Sequence, residues 1–518
     1  MANKSVFASL RGRMLPKADA VNKMGAPAFA YEDRHKLAQL AMTGTLSDLY
    51  YQDAQLELDT VLDVAETVEP EFLAKAAIHT REKGHMKDMP ALLLAVLASR
   101  DKHLFARAFP RIVTNGKMLR TFVQIMRSGQ TGRKSLGTRP KALVAGWLNA
   151  ASDRQILEAS IGNDPSLADV IKIVHPKPGN AERDALFAWA IGKPCDIAKL
   201  PEALQDYLAY KENGEGSLPD VPFQMLTHLP LSVEDWAKIA RSGSWQMVRM
   251  NLNTFERHGV FGIEGMTETI AAILCDPARI KKARVFPYQL MTAYQSLSAD
   301  IPAEIRDALH DAMEIAVANV PKIKGRLVVC PDVSGSMLSP VTGYRRGATT
   351  ATTFVDIAAL VAAAFLRRNR KTEVLPFEFR VRSAKLEARD TILTNAKRLA
   401  GLAGGGTNCS APLEWLNERK EVPDLVVFVS DNQSWADAGQ SVLSTPMMQN
   451  WQKLKARNPR AKLVCIDIAP YGTTQALIRN DVLNIGGFSD AVFDQIAAFA
   501  EDRHGPEQWV GEIEAIEI

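Results

Sequence analysis

The segment Arg326-Leu-Val-Val-Cys-Pro-Asp-Val-Ser-Gly-Ser-Met337 indicates the fold class of the second half of the chain. The apolar, β-branched run at residues 326–330 predicts a buried strand. Polar residues follow at once, and Asp332, Ser334 and Ser336 stand two positions apart. In parallel sheets, functional side chains lie on the loops at the carboxyl ends of the strands. We therefore expect a strand that ends in a loop of oxygen ligands.

Further short apolar runs after Val320 alternate with helical stretches. This order predicts an α/β domain with a parallel sheet covered on both faces, joined to the first half near residues 321–325. The predicted strands are residues 326–330, 372–377, 425–430 and 463–468, and the predicted helices are residues 353–368, 411–420 and 446–456.

Five side chains of this half form a candidate metal site. The hydroxyl of Thr407 follows three glycines, and the carboxylate of Asp431 ends the predicted strand 425–430. Carboxylate and hydroxyl oxygens are hard ligands that suit Mg²⁺ or Mn²⁺. The alternative is that the serines are turn residues and that Asp332 caps a helix, and no nearby nucleophile with a partner base indicates catalysis. The predicted metal ligands are Asp332, Ser334, Ser336, Thr407 and Asp431.

Residues 30 to about 320 carry the signals of many short helices. Pro90, Pro140 and Pro201 stand at predicted helix starts, where the missing amide hydrogen of proline costs nothing. Ser232-Val-Glu-Asp235 resembles a capping box. The pattern predicts packed pairs of helices, of a solenoid type although no fixed repeat period is evident.

The composition of the 518 residues is that of an ordinary globular protein. Charged residues make up 23% and hydrophobic residues 47%, which excludes a largely disordered chain. No apolar run is long enough to span a bilayer, and residues 1–22 lack the apolar core of a secretion signal. The five scattered cysteines form no zinc or disulfide pattern. Together these features predict a cytoplasmic protein.

Positive charge is concentrated in one part of the first half. The whole chain has 62 Lys and Arg against 59 Asp and Glu, a net charge of only +3. Residues 71–150 nevertheless hold 15 basic and 4 acidic residues, and residues 111–150 hold no acidic one. Such a local excess is typical of a surface for RNA or DNA phosphates, and the alternative is an ordinary solvated helix surface. The candidate contacts are Arg81, Lys83, His85, Lys87, Arg111, Lys117, Arg120, Arg127, Arg133, Lys134, Arg139 and Lys141.

Taken together, the motifs resemble the Ro RNA-binding family, the bacterial relatives of the Ro 60 kDa autoantigen, over nearly the whole chain. Segments of the first half are similar to the TROVE module of that family: residues 81–90, 128–133, 174–178 and 245–252. Segments of the second half are similar to its von Willebrand factor A (vWA) domain and metal-ion-dependent adhesion site (MIDAS): Asp332-Val-Ser-Gly-Ser-Met337, Gly405-Gly-Thr-Asn408 and Ser430-Asp-Asn432.

The resemblance implies a multidomain protein with an all-α ring of HEAT-like repeats at residues 1–322 and an α/β, Rossmann-like vWA domain at residues 323–518. It further implies a monomeric, noncatalytic protein in RNA quality control. Small noncoding Y RNA would bind the basic outer surface, and single-stranded 3′ ends of misfolded RNA would enter the hole of the ring. A 3′ exonuclease, or another protein held by the vWA domain, is the implied protein partner. By position, His175 and Lys177 resemble the Y RNA surface of the family.

Two positions depart from the family pattern. Residues 158–169 are acidic where vertebrate members are basic, and Asn408 replaces a frequent aspartate without touching a predicted metal ligand. The competing interpretation is a vWA-type assembly scaffold, similar to accessory subunits of metal chelatases, whose basic helices serve another partner. A nuclease or phosphotransferase at the metal has little support in the sequence.

Overall fold

The computed structural model describes residues 15–214, 216–283, 287–317, 320–344, 351–436, 444–469, 471–487, 490–501 and 508–518. The chain divides into two compact units. The first, here called the sheet unit, contains the described residues up to Val64, Ala271–Ser298 and those of Ala303–Ala515. The second, the helical unit, contains the described residues of Ala65–Ile270, with Ala299–Pro302 and Ile516–Ile518. The domain boundary at residues 322 and 323 stays a prediction.

The sheet unit is built on a parallel sheet. Its strand order is β4-β3-β5-β6-β8, with Val328 of β3 opposite Val426 of β5 and Val427 of β5 opposite Val464 of β6. These side chains are fully buried, as expected for a sheet covered by helices. The strands in the described residues are β1 (Ala20–Val21), β2 (Pro27–Ala30), β3 (Leu327–Pro331), β4 (Glu373–Val374), β5 (Leu425–Ser430), β6 (Lys462–Asp467), β7 (Thr473–Thr474) and β8 (Val482–Gly486).

The predicted strands agree with the observed ones except at the edges of the sheet. Strand β4 has two residues instead of the six predicted, since it is an edge strand and Pro376 cannot donate a backbone hydrogen bond. Strand β8 was not predicted because Asn484 interrupts its apolar run. The Nδ2 of this buried asparagine donates to the carbonyl of Ala476 at 2.6 Å, which satisfies the amide inside the core.

The first described residues of the chain belong to the sheet unit. Strand β2 pairs antiparallel with β7, and Phe29 opposes Thr474. The buried carboxylate of Asp467 accepts hydrogen bonds from Tyr31 Oη and Gln39 Nε2, both at 2.7 Å, and from the amide of Asn432. The amino-terminal segment is therefore fixed to the carboxyl end of β6.

The helices before the sheet are short and packed in succession, as predicted. The N-cap Ser232 and Asp235 form the predicted capping box. Pro90 and Pro140 are the third residues of their helices, and Pro201 directly precedes its helix. The helices are α1 (Asp33–Thr43), α2 (Ala54–Thr67), α3 (Pro70–Glu82), α4 (Asp88–Arg100), α5 (Lys102–Ile112), α6 (Gly116–Ser128), α7 (Thr138–Ala150), α8 (Asp153–Ala159), α9 (Leu167–Val174), α10 (Ala181–Ala190), α11 (Glu202–Asn213), α12 (Phe223–Leu226), α13 (Val233–Ser242), α14 (Trp245–Met250), α15 (Leu252–Arg257), α16 (Met266–Cys275), α17 (Pro277–Ala283), α18 (Pro287–Gln295) and α19 (Ala303–Ala316).

The helices after Leu327 pack against the sheet. Trp451 and Leu413 share a buried core with Val426 and Phe428 of β5, while the first of these helices packs on β3. Their bounds are α20 (Phe354–Arg368), α21 (Ile392–Ala400), α22 (Ala411–Glu418), α23 (Pro446–Arg457), α24 (Asp490–Ala500) and α25 (Gln508–Glu514). None of the helices within the described ranges is both long enough and apolar enough to cross a membrane.

Candidate functional site

The parallel pairing of β3 with β5 brings the two predicted carboxylate ligands to one edge of the sheet. Asp332 follows β3 and Asp431 follows β5, and the N–H of Asp332 donates to the carbonyl of Val429 at 2.9 Å. Asp332 is 0% exposed and Asp431 is 3% exposed. The sequence prediction that both carboxylates lie at the carboxyl end of the sheet is confirmed.

The three predicted hydroxyl ligands are also buried. The Oγ atoms of Ser334 and Ser336 are 3.4 Å apart, and the Ser336 side chain is hydrogen-bonded to Asp431. Thr407 is 2% exposed on a glycine loop that is joined to the serine loop. There the N–H of Gly335 donates to the carbonyl of Gly405 at 3.0 Å. Four predicted ligands therefore form one connected set, and the loop of Thr407 adjoins it.

One side chain and two backbone amides at the carboxyl ends of β3 and β5 orient the two carboxylates. The hydroxyl of Ser430 donates to Oδ2 of Asp332 at 2.6 Å, while Oδ1 of Asp332 accepts the N–H of Ser334 at 2.9 Å. The N–H of Gln433 donates to Oδ1 of Asp431 at 3.1 Å. Ser430 was missed as a site residue, although its place directly before Asp431 was visible in the sequence.

Burial makes both carboxylates hard to ionise. It raises the pKa of Asp332 to about 7, with the nearby negative charge of Asp431 as the second cause. The hydrogen bonds from Ser430 and Ser334 act in the opposite direction. Burial also raises the pKa of Asp431. Two buried carboxylates in mutual repulsion are stabilised by a cation between them.

The donor set fits a hard divalent cation. No ion pair joins Asp332 or Asp431 to a Lys, Arg or His among the residues that the structure describes. The other predicted ligands are neutral hydroxyls, the kind of oxygen that accompanies carboxylates around Mg²⁺ or Mn²⁺. Asp332, Ser334, Ser336, Thr407 and Asp431 would hold such an ion, which would supply a concentrated positive charge at this edge of the sheet.

We expect the sheet unit to lose stability with rising pH when divalent ions are chelated. Burial raises the pKa of Asp467 to about 8, beside the value of about 7 for Asp332. The folded state therefore binds more protons than the unfolded chain above about pH 4, and this stabilisation is lost as the pH rises through about 7 to 8. Scanning calorimetry from about pH 6 to about pH 8.5 should show a falling unfolding temperature, by roughly 2–4 °C for each kcal/mol lost.

Two comparisons sharpen this measurement. Asp467→Asn, which has no proton to lose, should flatten the pH dependence. Mg²⁺ should raise the unfolding temperature most at the high end of the range, where Asp332 is ionised. An unfolding temperature that rises with pH in the chelated protein would contradict the assignment.

The predicted basic residues lie on the helical unit, and none of them is buried. Lys83, Lys87, Lys117, Arg127, Lys134, Arg139, Lys141, His175 and Lys177 are exposed, and Arg81, His85, Arg111, Arg120 and Arg133 are half-buried. His175 ends α9 with a left-handed backbone at φ 53°, and Asn149 holds the neighbouring turn through the carbonyl of Lys177 at 2.9 Å.

Some of these cations bind partners within the chain. Arg111 makes two hydrogen bonds of 2.8 Å to the carboxylate of Glu82. Arg120 donates to the carbonyls of Ile161 and Pro165, and Arg139 donates to the carbonyl of Lys102. These arginines stabilise the fold, so they are weaker candidates for contacts with an external anion than the sequence indicates.

Lys87, Lys117 and Arg81 form a cluster of like charges, here called the lysine cluster. The pKa of Lys87 is lowered, first because neighbouring protein atoms displace part of the water around its ammonium group and then by the positive charges of Lys117 and Arg81. Arg81 donates to two neutral groups, Thr114 Oγ1 at 2.8 Å and the carbonyl of Met86 at 3.3 Å. Cations that repel one another in this way are relieved by binding an anion.

The two lysines of the cluster border a cleft of about 730 Å³ in the helical unit. Lys87, Lys117 and Arg120 line one part of it. Arg154 also lines the cleft. Its side chain forms ion pairs with two acidic residues of the lining, Asp220 at 3.0 Å and Glu158 at 3.6 Å. The sequence prediction missed Arg154 because it lies beyond the basic run.

Comparisons with known proteins match both the sequence and the fold. Residues 326–500 match the Ro60 vWA domain. The RNA-binding protein RO60 of Deinococcus radiodurans is 26% identical over 519 residues, covering 92% of this chain and 94% of that protein. The RNA-binding protein RO60 of Caenorhabditis elegans is 27% identical over 187 residues, covering 33% and 28%.

A solved structure supports the fold class. The crystal structure of the Deinococcus radiodurans RO (RSR) protein superimposes with a TM-score of 0.61 at 20% identity, covering 91% of this chain and 100% of that one. The prediction of a helical TROVE module followed by an α/β vWA domain is thereby confirmed. The vWA match and the similarity to a RO60 protein along almost the whole chain agree with the Ro family motifs in the sequence.

Proposed function

We propose that this chain is a noncatalytic RNA-binding protein that captures RNA on its helical unit. The observation that carries the proposal is the lysine cluster, in which Lys87 and Lys117 repel each other beside an open cleft. The RO60 relatives are named RNA-binding proteins, which supports RNA as the partner. The basic run of residues 71–150 supports it further, because its excess positive charge matches a phosphate backbone.

The proposed mechanism is electrostatic capture followed by selection of RNA shape. Lys87, Lys117 and Arg81 would contact phosphates, which fix the position of the RNA but do not read its sequence. Selectivity would come from the strand state and the shape of the RNA. The finer proposal, which the family resemblance supplies, is that the ligands are Y-type RNAs and the single-stranded 3′ ends of misfolded RNAs. A role in RNA quality control with a 3′ exonuclease belongs to the same proposal.

We expect the purified chain to prefer a stem-loop RNA with a single-stranded 3′ tail over duplex DNA of the same length. Fluorescence anisotropy across a salt series measures both affinities. The logarithm of the RNA affinity should fall against the logarithm of salt with a slope of about −0.7 to −0.9 for each phosphate contacted. Equal and weak binding of both ligands would contradict the proposal and favour the scaffold interpretation.

A second candidate function is the binding of a protein by the vWA domain through a divalent ion. Two exposed aromatic rings near the metal ligands favour it. Phe379 is 52% exposed and Trp435 is 48% exposed, and their centroids lie 6.4 Å apart. Trp435 also packs on Gly406, next to Thr407. Exposed aromatic pairs are typical of interface anchors, so replacing both with serine should weaken capture of such a protein without changing RNA affinity.

A further inference from the structure

A segment of the chain between α1 and α2 lies against the loop that follows the serine ligands. This segment, residues 44–53, is here called the strap. The N–H of Tyr344 donates to the carbonyl of Asp48 at 2.8 Å in an antiparallel bridge. A Cβ on Gly343, whose φ is +66°, would lie 2.6 Å from Ser47, so the two backbones are in close contact.

Hydrogen bonds fix the backbone of the strap. The fully buried carboxylate of Glu57 accepts the N–H groups of Thr45 and Leu46 at 2.8 and 3.1 Å. The N–H of Leu49 donates to the carbonyl of Gln52 at 2.7 Å, which closes a turn. Charge-assisted hydrogen bonds to a buried carboxylate are among the stronger hydrogen bonds in proteins. They therefore hold the strap in one position.

Tyr51 reaches from the strap to the metal ligands. Its side chain lies beside Ser336, and the carboxylates of Asp431 and Asp332 are close enough to act on it. Its ring packs edge-on against that of the buried Tyr471 with centroids 5.7 Å apart. The N–H of Tyr51 also donates to the Tyr471 hydroxyl at 3.4 Å.

The predicted metal ligands are almost inaccessible to solvent. Their exposed fractions are 0% for Asp332 and Ser334, 4% for Ser336, 2% for Thr407 and 3% for Asp431. A site that takes a ligand from another molecule needs an open face. Here the side chain of Tyr51, from the same chain, lies beside one of the serines. A neutral phenol is a weaker ligand for a hard cation than a carboxylate, so such a cover is displaceable.

We propose that Tyr51 is a positioning residue of the metal site that covers Ser336 and closes the site against external carboxylates. The chain would then hold its own vWA site in a closed state until an acidic ligand displaces the tyrosine. This inference rests on the proposed metal site and is independent of RNA binding. It distinguishes Tyr51 from its neighbour Tyr50, which is 59% exposed and packs edge-on against Tyr51.

The test is Mn²⁺ calorimetry on the full chain with and without acetate as the carboxylate probe. For the unaltered protein, acetate should leave the Mn²⁺ affinity unchanged. For Tyr51→Ala, acetate should raise the Mn²⁺ affinity about tenfold, the effect of one added charge-assisted contact. Tyr51→Phe keeps the ring against Tyr471 and loses only the hydroxyl, so it should show a smaller increase. Tyr50→Ala is the matched control and should behave like the unaltered protein.

The outcomes separate the possible errors. An acetate effect of equal size in the unaltered protein and in both Tyr51 variants would overturn the closed site. Absence of Mn²⁺ binding in every protein would overturn the metal site and the inference with it, while leaving RNA binding intact. If Tyr51→Ala fails to fold, as judged by circular dichroism, Tyr51→Phe decides the question alone, and no acetate effect in that variant overturns the proposal.

Discussion

Reversing the charge of Lys87 and Lys117 together is expected to weaken the binding of stem-loop RNA by about two orders of magnitude at low salt. Each lysine that contacts a phosphate releases a counterion on binding, and a glutamate in its place repels the same phosphate. The two residues lie in one cluster with Arg81, so their contributions should add through a common field. The slope of the salt dependence should become shallower by about two contacts.

Fluorescence anisotropy with one labelled stem-loop across a salt series checks this prediction. The matched control is the pair Lys193→Glu and Lys211→Glu, which changes the net charge equally at two exposed positions of the helical unit. If electrostatics were unspecific, both pairs would weaken binding to the same degree. That result would show that the RNA surface does not include the lysine cluster. The loss of affinity would then reflect only the net charge of the chain.

Replacing Asp332 with alanine is expected to abolish the binding of Mg²⁺ and Mn²⁺. This carboxylate is fully buried, and its two oxygens are held by Ser334 and Ser430. Removing it takes away one of the two negative charges of the set, and Asp431 with neutral hydroxyls is too weak a donor set for a strongly hydrated cation. Isothermal calorimetry should show binding heat for the unaltered chain and none for the variant.

Two further variants test whether a loss of metal binding comes from a loss of the fold. Asp332→Asn keeps the shape and the acceptor oxygen of the side chain and should also fail to bind the ion. Asp63→Ala removes an exposed carboxylate of α2 and should bind like the unaltered chain. Unchanged metal affinity in Asp332→Ala would show that the ion binds elsewhere in the chain. RNA affinity should be the same in all three variants.

The centre of the sheet and the places of most of the proposed metal ligands could be predicted from sequence because they depend on local pattern. A β-branched run followed by Asp-x-Ser-x-Ser specifies both a buried strand and its loop. The strap could not be predicted, since Tyr51 meets Ser336 across almost 300 positions of the chain and no local pattern marks the pairing. The short strand β2 was missed for the same reason, as its partner β7 lies more than 440 residues away.

The basic run of residues 71–150 shows a second limit of prediction from sequence. Counting charges correctly located the positive region, but it could not separate cations that stabilise the fold from cations that remain available. Arg120 binds the carbonyl groups around residues 161–165, and Arg111 binds Glu82. The structure leaves the lysine cluster as the stronger candidate, because the positive charges of Lys117 and Arg81 lower the pKa of Lys87.

The pairing of β2 with β7 constrains the order in which the molecule can be completed during its synthesis. Ala28 and Phe29 are buried in the finished protein, but β7, the strand that pairs with β2, is synthesised more than 440 residues later. At translation rates of about 5–20 residues per second, these apolar side chains wait roughly 20–90 s for their partners. Over that interval the nascent chain exposes a short apolar segment, and an exposed segment of this kind is open to aggregation.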